Sequence, residues 1–480
     1  MVNLDKDLIG HEFSLKDIIV CEGHSDFAVE DVDLSTYISR NIKINIPIIA
    51  AAMDTVCESE MAIALALQGG IGTIHNNLSI EKQAQEIERV KKYEAILIEK
   101  PITISPDEKI ANLDELIDKT DYSNIPVVRG QKLVGMITKN HYLMEDMDLS
   151  VSEKMTKIGN NLVYVEYSKI KDNVVNNIKQ LFKSTIVSAI PIVEYNGDLK
   201  YLVTRTDLSN QEKYKNVCRD EKGRLKVLAA IDTREYKERM EACDAAGADS
   251  FVVDTSHGYC IYPEETVRFA KKTYQDKDII AGNVVTKEGV KYLIDAGADG
   301  VKINIGVSDI CTTTEDVGIG RPEGSAVYEC ANVAREYNVP CIADGGAKSP
   351  GDILKYLTLG APAVMTGNLL AGTDEAPVKD DLSKSKGVRV YRGMGSPKAM
   401  LEGGEKRYFL GGKLKYPEGI EKEVPYRGSV SEWVPLLMQG LKQGMQKAGG
   451  RNIEELYKVG RIVPRSLLGY EHGIKPVGIE

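Results

Sequence analysis

The chain has 480 residues, of which 42% are hydrophobic and 28% are charged. This length predicts two or three domains, and the composition is typical of a soluble globular protein with enough apolar material for a large core. The formal net charge of −10 argues against a nucleic-acid partner and against binding to an anionic membrane. No apolar run approaches the roughly 20 residues that a membrane-spanning helix needs.

The N-terminus and the cysteines both indicate a cytoplasmic protein. The opening residues, MVNLDKDLIGHEF, are charged and lack the apolar core of a signal peptide. Eight cysteines are scattered along the chain, and no pair has the C-x-x-C spacing typical of a structural zinc site or a dithiol redox site. We therefore expect reduced thiols.

Eight short apolar segments predict buried strands, because each is rich in β-forming residues and ends in small or polar ones. They are residues 46–56, 70–75, 225–232, 250–258, 278–285, 299–306, 340–346 and 363–368. Helical patterns separate most of them, and three predicted helices end at a glycine suited to the left-handed conformation, namely Gly247, Gly297 and Gly360. Strand and helix alternating in this way predict an α/β fold, a (β/α)8 TIM barrel, with an open doubly wound sheet as the alternative.

One cysteine stands just beyond a predicted barrel strand. Cys311 lies between a backbone-rich turn and the threonine run 312–314, after the strand predicted within 299–306. In a parallel α/β barrel the chemistry takes place at the C-terminal ends of the strands. A thiolate there can attack an electrophilic carbon and form a covalent intermediate. We predict that Cys311 is a nucleophile and that the other seven cysteines are inert.

Residues 93–208 interrupt the alternation of strands and helices and contain an internal repeat. The two copies are residues 125–138 and 190–204, and each predicts a hairpin, with turns at 129–130 and 196–197. We therefore expect this segment to separate two barrel parts, 1–92 and 209–480. A glycine-rich, charged segment at about 393–425 predicts a lid over the barrel mouth.

The repeat resembles a pair of CBS modules, the two-module CBS (Bateman) domain. That resemblance implies a regulatory nucleotide, ATP or GTP, whose ribose is bound by a Thr-x-x-Asp motif. The second copy has Thr204 and Asp207, whereas the first has His141 where the aspartate would be. A folded spacer without a ligand is the alternative.

The motifs of the whole chain, taken in order, resemble the family of inosine 5′-monophosphate (IMP) dehydrogenases and guanosine monophosphate (GMP) reductases. They are AAMDTV at 51–56, GGIG at 69–72, AGNVVT at 281–286, the Cys311 loop, DGG at 344–346, YRGMGS at 391–396 and RYF at 407–409. The resemblance is greater to the dehydrogenases, and it implies NAD-dependent oxidation of IMP to XMP in guanine nucleotide synthesis. In that reaction the cysteine adds to C2 of the purine, hydride leaves to nicotinamide, and water hydrolyses the thioimidate.

The resemblance assigns catalysis to four residues. Cys311 is the nucleophile, and Thr313 helps to orient the hydrolytic water. Arg407 and Tyr408 of the lid stand at the general-base position. Arginine is an unusual base because its pKa exceeds about 12, so this role rests on the resemblance more than on acid–base logic.

The resemblance also assigns the binding residues. Asp344 stands at the position that binds the ribose diol, and a carboxylate suits this role because it accepts hydrogen bonds from two hydroxyls. Gly346, Gly367 and Tyr391 stand at positions that bind the phosphate. Glu418 stands at the position that contacts the N1 edge of the purine. The substrate positions are Asp309, Asp344, Gly345, Gly346, Gly367, Asn368, Tyr391, Gly393, Met394, Gly395 and Glu418. The positions of the nicotinamide cofactor are Asp254, Thr255, Ser256, Asn283, Asn304, Ile305 and Gly306.

The phosphate site departs from the family pattern. The family has Gly-x-Gly-Pro-Gly-Ser before Ile-Cys, whereas this chain has Asn304-Ile-Gly-Val-Ser-Asp309, and a second phosphate-site serine is Asn368. A carboxylate about 5 Å from a phosphate costs roughly 3 kcal/mol at an effective dielectric constant of 20. Either Asp309 turns away, or a cation such as Lys348 or Arg321 offsets it, or the favoured substrate differs from IMP.

A monovalent cation site, for K⁺, is also implied by the resemblance. Its ligands are the carbonyls of Gly306, Ser308 and Cys311, together with Glu471, His472 and Gly473 from a neighbouring subunit. The family therefore implies a homotetramer or an octamer.

Two rival functions remain open. A GMP reductase shares the cysteine and the barrel but does not need Arg407 and Tyr408. A non-catalytic nucleotide-sensing protein has only the altered phosphate turn in its favour.

Overall fold

The computed structural model describes residues 3–8, 10–93, 97–99, 101–120, 122–206, 208, 216–377, 387–402 and 416–465. The chain divides into two compact units. The first comprises residues 1–91, 216–218 and 226–480, and the second comprises residues 92–215 and 219–225.

The first unit contains a closed barrel of eight parallel strands, in which each strand pairs with the next along the chain and the last pairs with the first. The strands are β1 Ile48–Ala50, β2 Ile71–Ile74, β3 Val227–Ile231, β4 Ser250–Asp254, β5 Asp278–Val284, β6 Gly300–Ile303, β7 Cys341–Asp344 and β8 Ala363–Thr366. Each lies inside one of the eight predicted segments. The predicted (β/α)8 barrel is confirmed, and the closed sheet excludes the open alternative.

A helix follows each barrel strand in the described chain. The helices are α1 Ser59–Gln68, α2 Ile80–Lys92, α3 Tyr236–Ala245, α4 Ile261–Thr273, α5 Lys287–Ala296, α6 Glu323–Glu336, α7 Pro350–Leu359 and α8 Val430–Ala448. Local sequence sets their ends: the Thr286 and Ser349 side chains cap α5 and α7. Gly297 and Gly360 end the same two helices with φ of 108° and 111°, as the sequence predicted.

The barrel core lies towards the N-terminal ends of the strands. Ile38 and Ile44, from the short hairpin Thr36–Tyr37 with Lys43–Ile44, pack with inward residues of the strands. Arg40 N–H donates to the carbonyl of Asp299, which directly precedes β6, so this hairpin lies at the N-terminal end of the barrel. The opposite end, at the C-terminal ends of the strands, carries the cavity described below.

Further elements surround the barrel. An antiparallel pair, β9 Val388–Arg392 and β10 Glu421–Pro425, follows β8, and Tyr391 lies opposite Lys422. The other elements of this unit are the strands Asn3–Leu4, Ile18–Val20 and Arg461–Pro464, the helices Thr313–Asp316, Asn368–Ala371, Pro397–Leu401 and Ile453–Val459, and the 3-10 helices Lys6–Leu8, Leu15–Asp17 and Val29–Asp31. Of the predicted lid, residues 393–402 and 416–425 are described, whereas Arg407 and Tyr408 lie outside the described residues.

The second unit contains two sheets built around the two copies of the repeat. One consists of Asn124–Arg129, Lys132–Thr138 and Thr156–Lys157, and the other of Ile98–Glu99, Val165–Glu166, Ala189–Val193 and Leu199–Thr204. Its helices are Ile110–Thr120, Val151–Lys154 and Val174–Ser184, with 3-10 helices at Lys139–His141, Met144–Asp146, Tyr167–Lys169 and Lys171–Asn173. Both predicted hairpins form, with positive φ at Gly130 and Gly197.

Each copy has a hydrophobic cluster of its own. Leu113 and Ile125 belong to the first cluster, and Ile178 and Ile192 to the second. In the first copy both ring nitrogens of His141 contact threonine hydroxyls of the same unit. Asp207 of the second copy lies outside the described residues, so the nucleotide site stays a prediction.

Within the described ranges, every helix is too short or too polar to span a bilayer.

Candidate active site

A cavity opens at the C-terminal ends of the barrel strands. The space inside it, counted together with its open mouth, is about 810 Å³. Predicted site residues that line it are Asp254, Thr255, Ser256, Asn283, Asn304, Ile305, Gly306, Ser308, Cys311, Thr313, Asp344, Gly345, Gly367, Tyr391, Gly393, Met394, Gly395 and Glu418. Three residues of the predicted substrate set, Asp309, Gly346 and Asn368, are described but do not line it.

Cys311 lies at one end of a hydrogen-bonded series. Its Sγ is 3.3 Å from Thr313 Oγ1, and that hydroxyl donates to Glu418 Oε2 at 2.8 Å. Because the single hydroxyl proton of Thr313 points to Glu418, the oxygen of Thr313 can accept the thiol proton of Cys311. The series therefore connects a partly exposed thiol to a carboxylate inside the cavity.

The cysteine loop is attached by its backbone to the segment that precedes β10. Thr312 N–H donates to the carbonyl of Glu418 at 3.2 Å, and Ile420 N–H donates to the carbonyl of Ile310 at 3.0 Å. These two bonds bracket Cys311 and set its distance from Glu418. Loop and segment are more than a hundred residues apart in sequence, so their contact was not predicted.

Five of the other cysteines are buried, unlike Cys311. Burial raises the pKa of the thiols of Cys218, Cys243 and Cys330 to about 12, and it also raises the pKa of the buried thiols of Cys57 and Cys341. A thiol with so high a pKa is not a nucleophile at neutral pH. Among the cysteines of the described chain, Cys311 alone lines the cavity.

A buried lysine joins two of the predicted ligand-binding carboxylates. Lys302 in β6 is only 1% exposed, and its Nζ lies 2.5 Å from Asp254 Oδ1 and 2.8 Å from Asp344 Oδ2. Asn283 Nδ2 also donates to Asp344 Oδ2, at 3.0 Å. Lys302 was not predicted from the sequence, although a lysine inside a fully buried strand needs a charged partner and is a usable signal.

Two sequence motifs meet through a second buried ion pair. Arg392 of the YRGMGS motif donates from Nε to Asp54 Oδ1 of the AAMDTV motif at 3.1 Å, and it also pairs with Glu402. Asp54 is fully buried. Since Arg392 stands between Tyr391 and Gly393, this network positions the turn that lines the cavity.

The predicted cofactor side has unsatisfied buried acceptors. Asn283 and Asn304 are 6% and 2% exposed, and within the described chain the Oδ1 atom of each has no hydrogen-bond partner. Buried polar atoms in native proteins are nearly always paired, so these two suit a ligand that donates N–H groups. The carboxamide of a nicotinamide ring is such a donor, and the residues fit NAD on this observation.

The charge of Asp309 is paired with two lysines, which bears on the alternatives left by the sequence. Asp309 pairs with Lys348 and with Lys422, whose Nζ lies 2.8 Å from Oδ2. Burial raises the pKa of the Asp309 carboxyl, but the hydrogen bonds from the two lysines outweigh this, so its pKa is lowered overall. The charge is therefore offset by Lys348, as one alternative stated, and by Lys422, which was not predicted.

Arg321, the other suggested cation, is not that partner. It lies 2.7 Å from Glu12 and 2.9 Å from Glu329. Its suggested role beside Asp309 is wrong, because its guanidinium group forms ion pairs with Glu12 and Glu329 instead.

The implied potassium site is described only in its loop half. The carbonyl of Gly306 accepts from Thr314 Oγ1 at 3.0 Å, and that of Ser308 accepts from Cys311 N–H at 3.0 Å. A carbonyl oxygen has two lone pairs, so each can still serve as a ligand. Glu471, His472 and Gly473 lie outside the described residues, and the cation stays a prediction.

Comparison with known proteins gives one consistent result. A family model described as IMP dehydrogenase / GMP reductase domain matches residues 12–474. The inosine-5′-monophosphate dehydrogenase of Aquifex aeolicus is 43% identical over 98% of this chain and 96% of its own length. That of Bacillus subtilis is 40% identical over 92% of this chain and 90% of its own length.

Solved structures of a GMP reductase are also similar. A form of the Trypanosoma brucei enzyme with one cysteine replaced by alanine, in complex with guanosine 5′-monophosphate, is 36% identical, covers 98% of both chains and has a TM-score of 0.84. The same reductase in complex with guanosine 5′-triphosphate is 34% identical, with 96% of this chain and 99% of that chain covered and a TM-score of 0.74. On these matches, which span nearly the whole barrel and its cysteine loop, the chain belongs to the IMP dehydrogenase / GMP reductase family.

Proposed function

We propose that this protein oxidises IMP to XMP with NAD, through a covalent adduct on Cys311, in guanine nucleotide synthesis. The observation that carries the proposal is the Cys311–Thr313–Glu418 series inside the cavity. The names of the bacterial relatives, which are about two-fifths identical to this chain, support the same reaction.

In the first half of the reaction Cys311 Sγ adds to C2 of the purine, and the hydrogen of C2 leaves as hydride. NAD, when bound, accepts that hydride. The thiol proton is released, and Thr313 offers it a path to the carboxylate of Glu418. The product of this half is a thioimidate in which C2 is bound to sulfur.

In the second half water adds its oxygen to C2, the C–S bond breaks, and the thiolate of Cys311 is regenerated as XMP departs. Arg407 and Tyr408 serve as the base that activates this water. Replacing Arg407 by alanine should then leave a burst of NADH near one per active site, followed by a slow steady state. Loss of the burst would place the lid earlier in the reaction.

The binding residues divide between the two ligands. Asp344 accepts hydrogen bonds from the hydroxyls of the substrate ribose, and Asn283 and Asn304 would hold NAD by accepting hydrogen bonds from its carboxamide. Lys302 positions both carboxylates that face the ligands, because it pairs with Asp254 and with Asp344. Met394 and Gly395 contact the purine.

Three further features belong to the proposal. The carbonyls of Gly306, Ser308 and Cys311 would hold a potassium ion, together with a tail from a neighbouring subunit of a homotetramer. Residues 93–208 form a CBS pair that binds ATP or GTP at Thr204 and Asp207. The complex of the related reductase with guanosine 5′-triphosphate makes GTP the first ligand to test.

The proposal is tested by following NADH formation with IMP, inosine and GMP side by side. NADH with IMP, and its loss in Cys311→Ala while the protein remains folded, is the expected result. Activity in Cys311→Ala would end the proposal.

GMP reduction is the second candidate, because the solved structures reported above are of a GMP reductase. That reaction consumes NADPH and releases ammonia from GMP. NADPH loss with GMP, and no NADH from IMP, would favour it.

A further inference from the structure

Three charged side chains meet beside the cavity, just outside its lining. Asp309 follows β6, Lys348 follows β7, and Lys422 belongs to β10. Asp309 Oδ1 pairs with Lys348 Nζ, and Oδ2 accepts from Lys422 Nζ at 2.8 Å. One carboxylate and two ammonium groups give the cluster a single net positive charge at neutral pH.

The cluster borders the part of the cavity framed by glycine backbones. Ser308, which precedes Asp309, and Gly345 both line the cavity, and a Cβ built on Gly345 would lie 3.8 Å from Ser308 Cβ. Tyr391 lines the cavity as well, and Lys422 lies opposite it on the neighbouring strand. Three separate segments therefore bring charge to one end of the cavity.

Both ammonium groups have donors available for a ligand. Each carries three N–H donors, and among the described residues Asp309 is the one acceptor that either Nζ contacts. The side chains of Lys348 and Lys422 are 49% and 34% exposed, whereas that of Asp309 is 21% exposed. An arriving anion thus meets the ammonium groups more readily than the carboxylate.

We infer that Lys348 and Lys422, positioned by Asp309, form the subsite for the phosphate monoester of the substrate. Charge-assisted hydrogen bonds from two ammonium groups replace the neutral serine hydroxyl that the family pattern places at this position. Recognition then depends on the charge of the phosphate. This inference rests on the proposed function, because it concerns the same cavity.

A purely structural role makes different predictions. If the ion pairs only attach the loop after β6 to β10, then removing a lysine lowers stability and affects nucleoside and nucleotide alike. If the lysines bind phosphate, affinity follows the net charge of the cluster and only the phosphorylated ligand is affected.

The test is a charge series in the full-length protein: Lys422→Met, Lys348→Met, Asp309→Asn and the double variant Asp309→Asn with Lys422→Met. Binding of IMP and of inosine is measured by calorimetry without NAD, together with Tm for each variant. Lys398→Met is the matched control, because this exposed lysine pairs at 2.9 Å with Glu421, the neighbour of Lys422.

Each single lysine variant should weaken IMP binding by about tenfold to a hundredfold, the value of a charged hydrogen bond. Asp309→Asn should tighten it, the double variant should return towards wild type, and inosine binding and the Lys398 control should not change. The inference would be overturned if the lysine variants lost equal affinity for IMP and for inosine, or if Asp309→Asn bound IMP more weakly than the wild type. The Asp309→Asn arm keeps the test decisive even if Lys422→Met does not fold.

The same data separate this inference from the proposed function. If the wild type binds IMP but forms no NADH with it, the proposed function fails and the subsite stands. If the wild type does not bind IMP, the series is repeated with GMP and guanosine. The subsite would be overturned if the lysine variants kept the wild-type preference for GMP over guanosine.

Discussion

Replacing Lys302 by methionine should remove the ammonium group that pairs with both Asp254 and Asp344. Methionine matches the length of the side chain but not its charge, so the buried Asp254 and the partly buried Asp344 both lose their ammonium partner. Breaking a buried ion pair typically costs about 3–5 kcal/mol. The cost is limited because one of the two carboxylates can take up a proton and become neutral.

The free-energy cost of protonating one carboxyl depends on the pH. Each pH unit is worth about 1.36 kcal/mol, and the ordinary pKa of aspartate is about 3.9, so forcing a proton onto one carboxyl costs about 4 kcal/mol at pH 7 and about 1.5 kcal/mol at pH 5. In the variant the folded-state pKa of one carboxyl is raised, and the native state therefore gains relative stability as pH falls. We expect the loss in free energy of unfolding to shrink from about 4 to about 1.5 kcal/mol between pH 7 and pH 5.

Urea unfolding followed by tryptophan fluorescence suits this measurement. The chain has one tryptophan, Trp433, which lies in α8 and donates to the carbonyl of Leu369, so its signal reports on the barrel unit. Lys91→Met is the matched control, because Lys91 is 3% exposed and pairs with Asp249 away from the cavity. Both variants should lose stability, but only Lys302→Met should also lose affinity for IMP. A loss at Lys302 that is absent, or equal at pH 5 and pH 7, would refute the reasoning.

Three other predictions follow from the site and the fold. Glu418→Gln should lower kcat about a hundredfold even though Cys311 is retained, because the Cys311–Thr313–Glu418 series then ends in an amide instead of a carboxylate. Steady-state kinetics check this, and an unchanged kcat would remove Glu418 from the mechanism. Brief treatment with iodoacetamide at pH 7.5 should alkylate Cys311 but not Cys218, Cys243 or Cys330, whose thiol pKa burial raises to about 12; peptide mass spectrometry reads this out, and labelling of those three would contradict the packing. Replacing residues 93–208 by a short linker should preserve turnover, and if GTP affects the intact protein, Asp207→Ala should weaken that effect more than His141→Ala; a dead deletion variant or equal effects would count against a regulatory insert.

The sequence predicted the barrel well for a physical reason. Parallel strands are buried on both faces, so they read as continuous apolar runs, and β3, β4 and β5 are buried at every residue. Cys311 was predicted as a nucleophile because a parallel barrel brings the C-terminal ends of its strands to one face, whereas the binding residues were assigned by the family resemblance.

Side-chain pairing was harder to predict because it joins distant parts of the chain. Lys422 is 113 residues from Asp309, and the Glu12 that pairs with Arg321 is 309 residues away from it. No local pattern encodes such contacts. Lys302 lies within a predicted strand, but its two carboxylate partners become apparent only when the barrel closes.

The central claim is that Cys311 bonds covalently to the purine, and peptide mass spectrometry of protein quenched during turnover tests it directly. The protein is mixed with IMP and NAD, quenched in acid within the first turnovers, and digested. We predict a mass increase equal to the purine nucleotide moiety on the peptide that contains Cys311, and none in Cys311→Ala. A protein that forms NADH from IMP with no adduct on Cys311, or with the adduct on another residue, would contradict the account.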